Sequence, residues 1–434
     1  MILYSPVITN RLSYIAEFIG REITGQPIRI TDSPGEFIAS DLPRINYSTN
    51  PVLPDEFWIP PHSLLLETGI RDQDTECFDR NGFPAFFRSA GDFGFDIFAA
   101  AFYLLSRYEE YRAFHPDSYG RFGYMDSLAY REGFLKRPLV NEWIGELKKS
   151  LQAKFPGFKE SPKKQFRFLP TYDIDEAYSY RHKQWWRSAG AATRDLLTGR
   201  FRRFQQRRRV LDNKEPDPFD SFTWIDDLHR PFHLDPRYFF LVAEHTGTHD
   251  RNILPEEPAL QTLIRHHAGK YSIGVHPSWQ SGDEPALLLK EKEWIEMITR
   301  IKVTSSRQHF IRMRIPETYR LLEEAGIREE FSMGYGSING FRASVASPFS
   351  WYDLEKERIS PLVIYPFCFM EANSFFEQRY KPEQALEELR HYRESVQNVN
   401  GLMITIWHNT FLGTDPMYAG WREVYARFVQ ETMS

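Results

Sequence analysis

The alternation of helix and strand signals in the second half of this chain constrains its fold more than any other feature. Pro316-Glu-Thr-Tyr-Arg-Leu-Leu-Glu-Glu-Ala-Gly326 opens on proline and closes on glycine, the asymmetry of a short helix. Residues 382–398 repeat the plan, with Leu386, Leu389, Tyr392 and Val396 on one face, and Asn400-Gly401 stops it. The run Leu402-Met-Ile-Thr-Ile-Trp-His408 follows as a strand. Helices interleaved with such strands predict a parallel sheet or barrel with crossover helices. In that architecture a site collects at the carboxyl ends of the strands.

Several strand ends carry side chains suited to a site. Phe166-Arg-Phe-Leu-Pro-Thr-Tyr-Asp-Ile-Asp175 closes on two carboxylates one residue apart. Strand side chains alternate faces, so Asp173 and Asp175 share one if the strand continues. Two carboxylates that close call for a cation or a shared proton. Tyr271-Ser-Ile-Gly-Val-His276, Arg307-Gln-His309-Phe-Ile-Arg312 and Ile404-Thr-Ile-Trp-His408 each end on or contain a histidine. Carboxylate and imidazole together suit zinc or a similar divalent ion. A lone histidine at a strand end is more often structural than a ligand, and the two aspartates alone could serve loop amides; their order along the chain lifts the set above that.

The 434 residues suggest two or three domains. A net charge of −5 gives no sign of nucleic-acid binding, and two cysteines make neither a disulfide framework nor a zinc finger. The amino terminus lacks the basic start and apolar run of a signal peptide, and no apolar stretch is long enough to span a membrane, so a cytoplasmic location is expected. Residues 1 to about 160 read as a smaller α/β unit. It has a helix capped by Asn10 and running through Arg21, a mostly buried helix in Phe93–Ser106, and a charged run, 107–112, expected to surface. The proline- and lysine-rich stretch 154–164 reads as a linker. A helical insertion at about 184–215 gathers Arg187, Arg194, Arg200, Arg202, Arg203, Arg207, Arg208 and Arg209, with Trp185, Trp186, Leu196, Leu197 and Phe204 as its apolar positions. It is either a solvated helix or a peripheral contact with an anionic membrane or glycolipid.

Residues 165–434 resemble the NodB-homology polysaccharide deacetylases, a carbohydrate esterase family. Thr171-Tyr-Asp-Ile-Asp175 resembles the family's Thr-Phe-Asp-Asp motif, Gly274-Val-His276-Pro-Ser278 its His-Ser/Thr-x-x-His motif, and Ile404–His408 its last apolar strand ending in histidine. The segment 307–327 is similar to its third motif and following helix. The resemblance implies an α/β fold in which a distorted (β/α) barrel follows the smaller domain, as in a bacterial branch of the family. It implies Asp173 as general base, His408 as general acid, Asp175 and His276 as metal ligands, and an arginine that orients the base, Arg342 or Arg312. The family's second metal histidine falls at position 280, where this chain has Gln280, so His309 is the candidate third ligand. Trp279, Trp407 and Asp250 are weaker candidates for substrate contacts.

The function so implied is metal-dependent removal of an N-acetyl group from a sugar or glycan, lipid-linked in one version, with zinc as the cofactor. Two alternatives stay open. The split aspartates and Gln280 suit a degenerate, glycan-binding relative. Asp-x-Asp also occurs in phosphotransfer enzymes, although no glycine-rich phosphate loop accompanies it here.

Overall fold

The computed structural model describes residues 1–158 and 165–434, without the side chains of 185–188. The linker expected at 154–164 therefore falls largely outside the described residues, as do the Trp185, Trp186 and Arg187 side chains.

The first half is built on four short parallel strands, β1 (Ile2–Tyr4), β2 (Arg29–Thr31), β3 (Arg44–Asn46) and β4 (Phe57–Trp58), in the order β2-β1-β3-β4. A hairpin of β5 (Phe78–Arg80) and β6 (Phe83–Ala85) stands beside them. The first helix runs Asn10–Thr24, and its cap is Thr9 rather than Asn10: the Thr9 hydroxyl accepts from the Leu12 amide. The apolar run yields a helix, Ile97–Leu105, in which every residue is buried.

The charged run that follows does not surface as expected. Arg107, Glu109 and Glu110 are buried, and Glu110 accepts from Arg107 Nε at 2.7 Å and from Arg342 Nε at 2.8 Å. The physical reason is charge pairing across the two halves: the run meets an arginine from the second half instead of water. The halves also join at Tyr14, whose hydroxyl donates to the Ser350 carbonyl at 2.8 Å and whose ring lies 5.2 Å from that of Tyr352.

The second half carries one nine-stranded sheet. Its strands are β7 (Arg167–Ile174), β8 (Arg237–Phe240), β9 (Ser272–Val275), β10 (Ser305–Ser306), β11 (Glu329–Glu330), β12 (Phe349–Asp353), β13 (Arg358–Ile364), β14 (Phe369–Met370) and β15 (Leu402–His408). The order is β12-β13-β11-β10-β9-β8-β7-β15-β14, parallel throughout except for the β12–β13 pair. Among the described residues β12 and β14 end the ladder and do not pair with each other. The helices Glu317–Glu324 and Pro382–Asn398 fall where proline and glycine predicted them.

Alternation along the strands sorts the side chains into two clusters. Met403, Trp407, Tyr172, Ile174, Tyr238 and Phe240 join the large core under the helices. Ile404, Ile406, Phe239, Phe331 and Phe367 form a second, smaller cluster on the other face. Gly274 lies opposite Phe239 in the ladder, and a Cβ there would come within 2.6 Å of the Phe239 ring, so glycine makes the room that ring occupies. The sheet is strongly curled about this inner cluster. Flat, it would hold β15 and β10 about 19 Å apart, four strand spacings. Yet side chains following or ending both strands meet on one carboxylate.

Candidate metal centre

That carboxylate is Asp175, the first residue past β7. Its Oδ1 lies 3.0 Å from His276 Nε2, and its Oδ2 lies 3.3 Å from His309 Nε2 and 3.4 Å from His408 Nε2. His276 immediately follows β9 and His408 is the last residue of β15. His309 sits in the 3-10 turn His309–Ile311 shortly after β10. The residues gather because each terminates, or closely follows, the carboxyl end of a parallel strand on a curled sheet.

The tautomers follow from the outer ring nitrogens. His276 Nδ1 is 2.6 Å from the Arg307 carbonyl oxygen, which can only accept, so that nitrogen carries hydrogen. His309 Nδ1 donates to Asp250 Oδ1 at 3.0 Å, and His408 Nδ1 donates to Glu371 Oε1 at 2.6 Å. All three rings are thus anchored through Nδ1 and turn Nε2 toward Asp175. In the neutral ring Nε2 is a lone pair facing a carboxylate, an arrangement that requires a proton or a cation between them. Asp175 Oδ1 is buried and accepts no hydrogen bond.

The electrostatics state the same demand. Burial pushes the Asp175 carboxyl up, but the His309, His408 and His276 imidazoles outweigh it and hold the group well below the usual carboxylate range. Burial pulls His309 down, yet Asp175 and Asp250 raise it to about 9. His408 is also pulled down by burial and is carried well above the ordinary histidine value by Glu371 and Asp175. Asp175, His276 and His309 offer one donor atom each within 4.8 Å of one another, a set of oxygen and nitrogen ligands that fits a divalent ion. With an ion held there, Asp250 and the Arg307 carbonyl would be the outer partners that orient the imidazoles.

Asp173 lies opposite His408 in the β7–β15 ladder. It is buried, with Oδ1 3.0 Å from Arg307 Nη1 and Oδ2 3.9 Å from His276 Nε2. Arg307 is fully buried; it also donates to Thr171 Oγ1 at 2.6 Å and to the Phe331 carbonyl at 3.1 Å, and lies over the Phe239 ring.

The structure therefore brings together Asp173, Asp175, His276, His309 and His408, and moves other expected residues elsewhere. Arg342 is not at the base: its guanidinium is consumed by Glu110 at the junction of the halves. Arg312 grips Asp283 and the Trp279 carbonyl. The arginine on Asp173 is Arg307, the first residue past β10, whose two-residue length gives it no strand signal in the sequence. Trp407 points to the opposite face from His408, is fully buried and packs 4.6 Å from the Tyr425 ring, as alternation along β15 requires. Trp279 stacks on His249 at 4.1 Å beside the site. Asp250 serves His309 instead of a substrate, and Gln280, at the missing-histidine position, donates to Asp250 Oδ2 at 2.9 Å. Glu371 was missed; an acid one residue past the short apolar strand β14 was its only sequence signal.

Over the centre lies a cavity of about 530 Å³. Asp173, Asp175 and the three histidines form its floor, and Phe411, Tyr418 and Phe376 stand on its wall. Tyr119 and Arg121 from the first half complete the lining.

Residues 1–156 match a family of unknown function, DUF7033. No curated protein matches the chain. Solved structures similar to it include a protein assigned as a polysaccharide deacetylase from Mycobacterium smegmatis, at 14% identity over 63% of this chain and 86% of that one, with a TM-score of 0.40. A carbohydrate esterase family 4 (CE4) pseudoenzyme from Bacillus anthracis aligns at 9% identity over 63% of this chain and 62% of that one, with a TM-score of 0.33. The polysaccharide deacetylase of Bacillus cereus aligns at 7% over 62% and 88%, with a TM-score of 0.31. At such scores these likenesses carry no weight, and the functional reading rests on the geometry of the site.

Proposed function

We propose that this protein is a metal-dependent hydrolase that removes an N-acetyl group from a sugar or glycan. One observation carries the reading: three imidazoles, each anchored through Nδ1, aim Nε2 at Asp175 beside a second, arginine-held carboxylate. Asp175, His276 and His309 would hold the ion, with zinc the metal best suited to that donor set. When bound, it would supply Lewis acidity toward a water and an amide carbonyl.

The chain's own residues supply the proton traffic. Asp173 has one oxygen tied to Arg307, which leaves Oδ2 to take the proton of a water as that water adds to the acetyl carbon. His408, its Nδ1 held by Glu371, gives a proton from Nε2 to the amide nitrogen as the C–N bond breaks. Acetate and a free amine result.

A curled sheet closing as a barrel of the NodB-homology type, residues 1–160 as an accessory domain and a lipid-linked substrate belong to the same proposal. The arginine-rich insertion supports the last. It is a pair of helices, Trp185–Leu197 and Phe201–Leu211, in which Arg207, Arg208 and Arg209 pair with Asp195, Asp212 and Glu215. The turn between them exposes Leu197 (83%) and Phe201 (60%) beside Arg200 and Arg202, an amphipathic tip suited to an anionic bilayer surface. Among the described residues no helix is long and apolar enough to cross a membrane.

The test is metal analysis of purified protein, with acetate release measured on a panel of N-acetylated oligosaccharides. One equivalent of divalent metal, and acetate release that fails in Asp173→Asn, is expected. Glycan binding without metal and without acetate release would replace this reading with the binding-protein alternative.

A further inference from the structure

We infer that the amino-terminal half is a working part of the metal centre, and that Arg121 is a positioning residue for His309. The inference rests on the metal reading above.

The turn carrying His309 has an unusual backbone. Phe310 has φ 57° and Ile311 φ 54°, so two bulky residues in succession, one of them β-branched, occupy the left-handed region. Such a conformation persists only where the surroundings impose it. It turns the His309 ring onto Asp175, while the Phe310 ring, 4.5 Å from that of His309, packs 5.5 Å from Trp279 and 5.4 Å from His249.

The second half holds the His309 amide on the Pro277 carbonyl at 3.2 Å, and the first half adds a clamp on the residue that follows. Pro116 and Phe122 form an antiparallel bridge, and Asp117 organises the loop between them. Its Oδ1 accepts from the Tyr119 amide at 2.9 Å and the Arg121 amide at 3.0 Å, and its Oδ2 accepts from Arg121 Nε at 2.7 Å. Arg121, only 5% exposed, is thereby aimed at the turn, where its Nη1 donates to the Phe310 carbonyl oxygen. Gly336 leaves room for that guanidinium, because a Cβ there would fall 1.9 Å from Nη1. The Tyr119 ring packs 5.7 Å from that of Phe310, and Arg314 Nε donates back to the Gly120 carbonyl at 3.4 Å. The same hairpin also lines the cavity. A chain of residues 165–434 alone would therefore lack one wall of the cavity and the clamp on one metal ligand.

The experiment is zinc titration of the metal-stripped full-length protein against a competing chelator, with the visible spectrum of the cobalt form as a second readout. Arg121→Gln is expected to weaken zinc binding roughly 10- to 100-fold, the range for residues that orient ligands, and to alter the cobalt spectrum. Gly336→Ala, which displaces the guanidinium from the other side, should do the same if Arg121→Gln fails to fold. Arg11→Gln is the control, since it breaks the junction at Glu357 without touching the turn. It should lower the melting temperature and leave zinc affinity alone. Unchanged affinity in both Arg121→Gln and Gly336→Ala, or an equal loss in Arg11→Gln, overturns the inference. Wild-type protein that binds no metal overturns the metal reading beneath it instead.

Discussion

Asp173 and His408 face each other on adjacent parallel strands, register partners in the β7–β15 ladder, and each is held from behind by an oppositely charged group, Arg307 and Glu371. On the proposed reading, Asp173 is the proton acceptor and His408, whose Nε2 lies 3.4 Å from Asp175 Oδ2, the proton donor. We expect Asp173→Asn and His408→Ala each to lower turnover roughly 10²- to 10⁴-fold, the usual worth of a positioned acid or base. Steady-state kinetics checks this; near wild-type turnover in either variant ends that pair of assignments.

Arg307 makes a separate prediction, one about stability. It is fully buried and shares its charge with a buried Asp173. Arg307→Gln removes one partner of a buried ion pair and should cost about 3–5 kcal/mol of folding free energy. Arg342→Gln should cost less, because Glu110 keeps its pairing with Arg107, and should leave zinc affinity unchanged because that pair lies at the junction of the halves. Denaturant melts with parallel metal titrations separate the two.

Glu371→Gln keeps an oxygen to accept from His408 Nδ1 but removes the charge behind it. The ring stays oriented while its protonated form loses support, so turnover should fall at least tenfold, about 1.4 kcal/mol in the barrier, with little change in melting temperature. Loss of folding together with loss of turnover would contradict this division of roles.

The order of strand ends was legible because each catalytic candidate ends or follows an apolar run, and chain order survives folding. Which face each residue takes was legible only where the strand was long. On β15, alternation excludes Trp407 from the site, yet it was named with His408 because both closed the same run. The arginine and the third ligand were harder. β10 has two residues, Ser305–Ser306, so neither Arg307 nor His309 sits on a recognisable strand, and their positions depend on pairing with distant chain. The burial of Glu110 was illegible for the same reason: its partner, Arg342, lies far along the sequence, and a charged run taken alone predicts solvent. Gln280 shows the converse, since its residue type spoke against a ligand and its hydrogen bond to Asp250 supports one instead.

Removing the metal should cost both activity and stability. A chelator is expected to abolish turnover, with recovery on adding zinc, cobalt or nickel. Because the ligands converge only in the folded chain, excess zinc should raise stability by about 4 kcal/mol at a thousandfold over its dissociation constant. Thermal melts of stripped and reloaded protein test this, and identical melts would show that the folded protein does not bind zinc.

Stability should also fall on acidification through two histidines remote from the cavity. His229 and His267 are both buried, and burial lowers each to about 4. His229 Nε2 lies 2.9 Å from the hydroxyls of both Tyr172 and Tyr425, and His267 Nδ1 lies 2.9 Å from the Leu263 carbonyl oxygen. Unfolded, each titrates near 6.5. Between those values the unfolded chain binds more protons than the folded one, so stability rises with pH across that window. It is fully present above pH of about 6.5 and is lost as pH falls toward 4, by on the order of 3 kcal/mol for each residue. His267→Gln should therefore show a shallower decline in melting temperature between pH 7 and pH 5 than the wild type, and so should His229→Gln. A slope unchanged in both variants would mean that other groups carry the acid sensitivity.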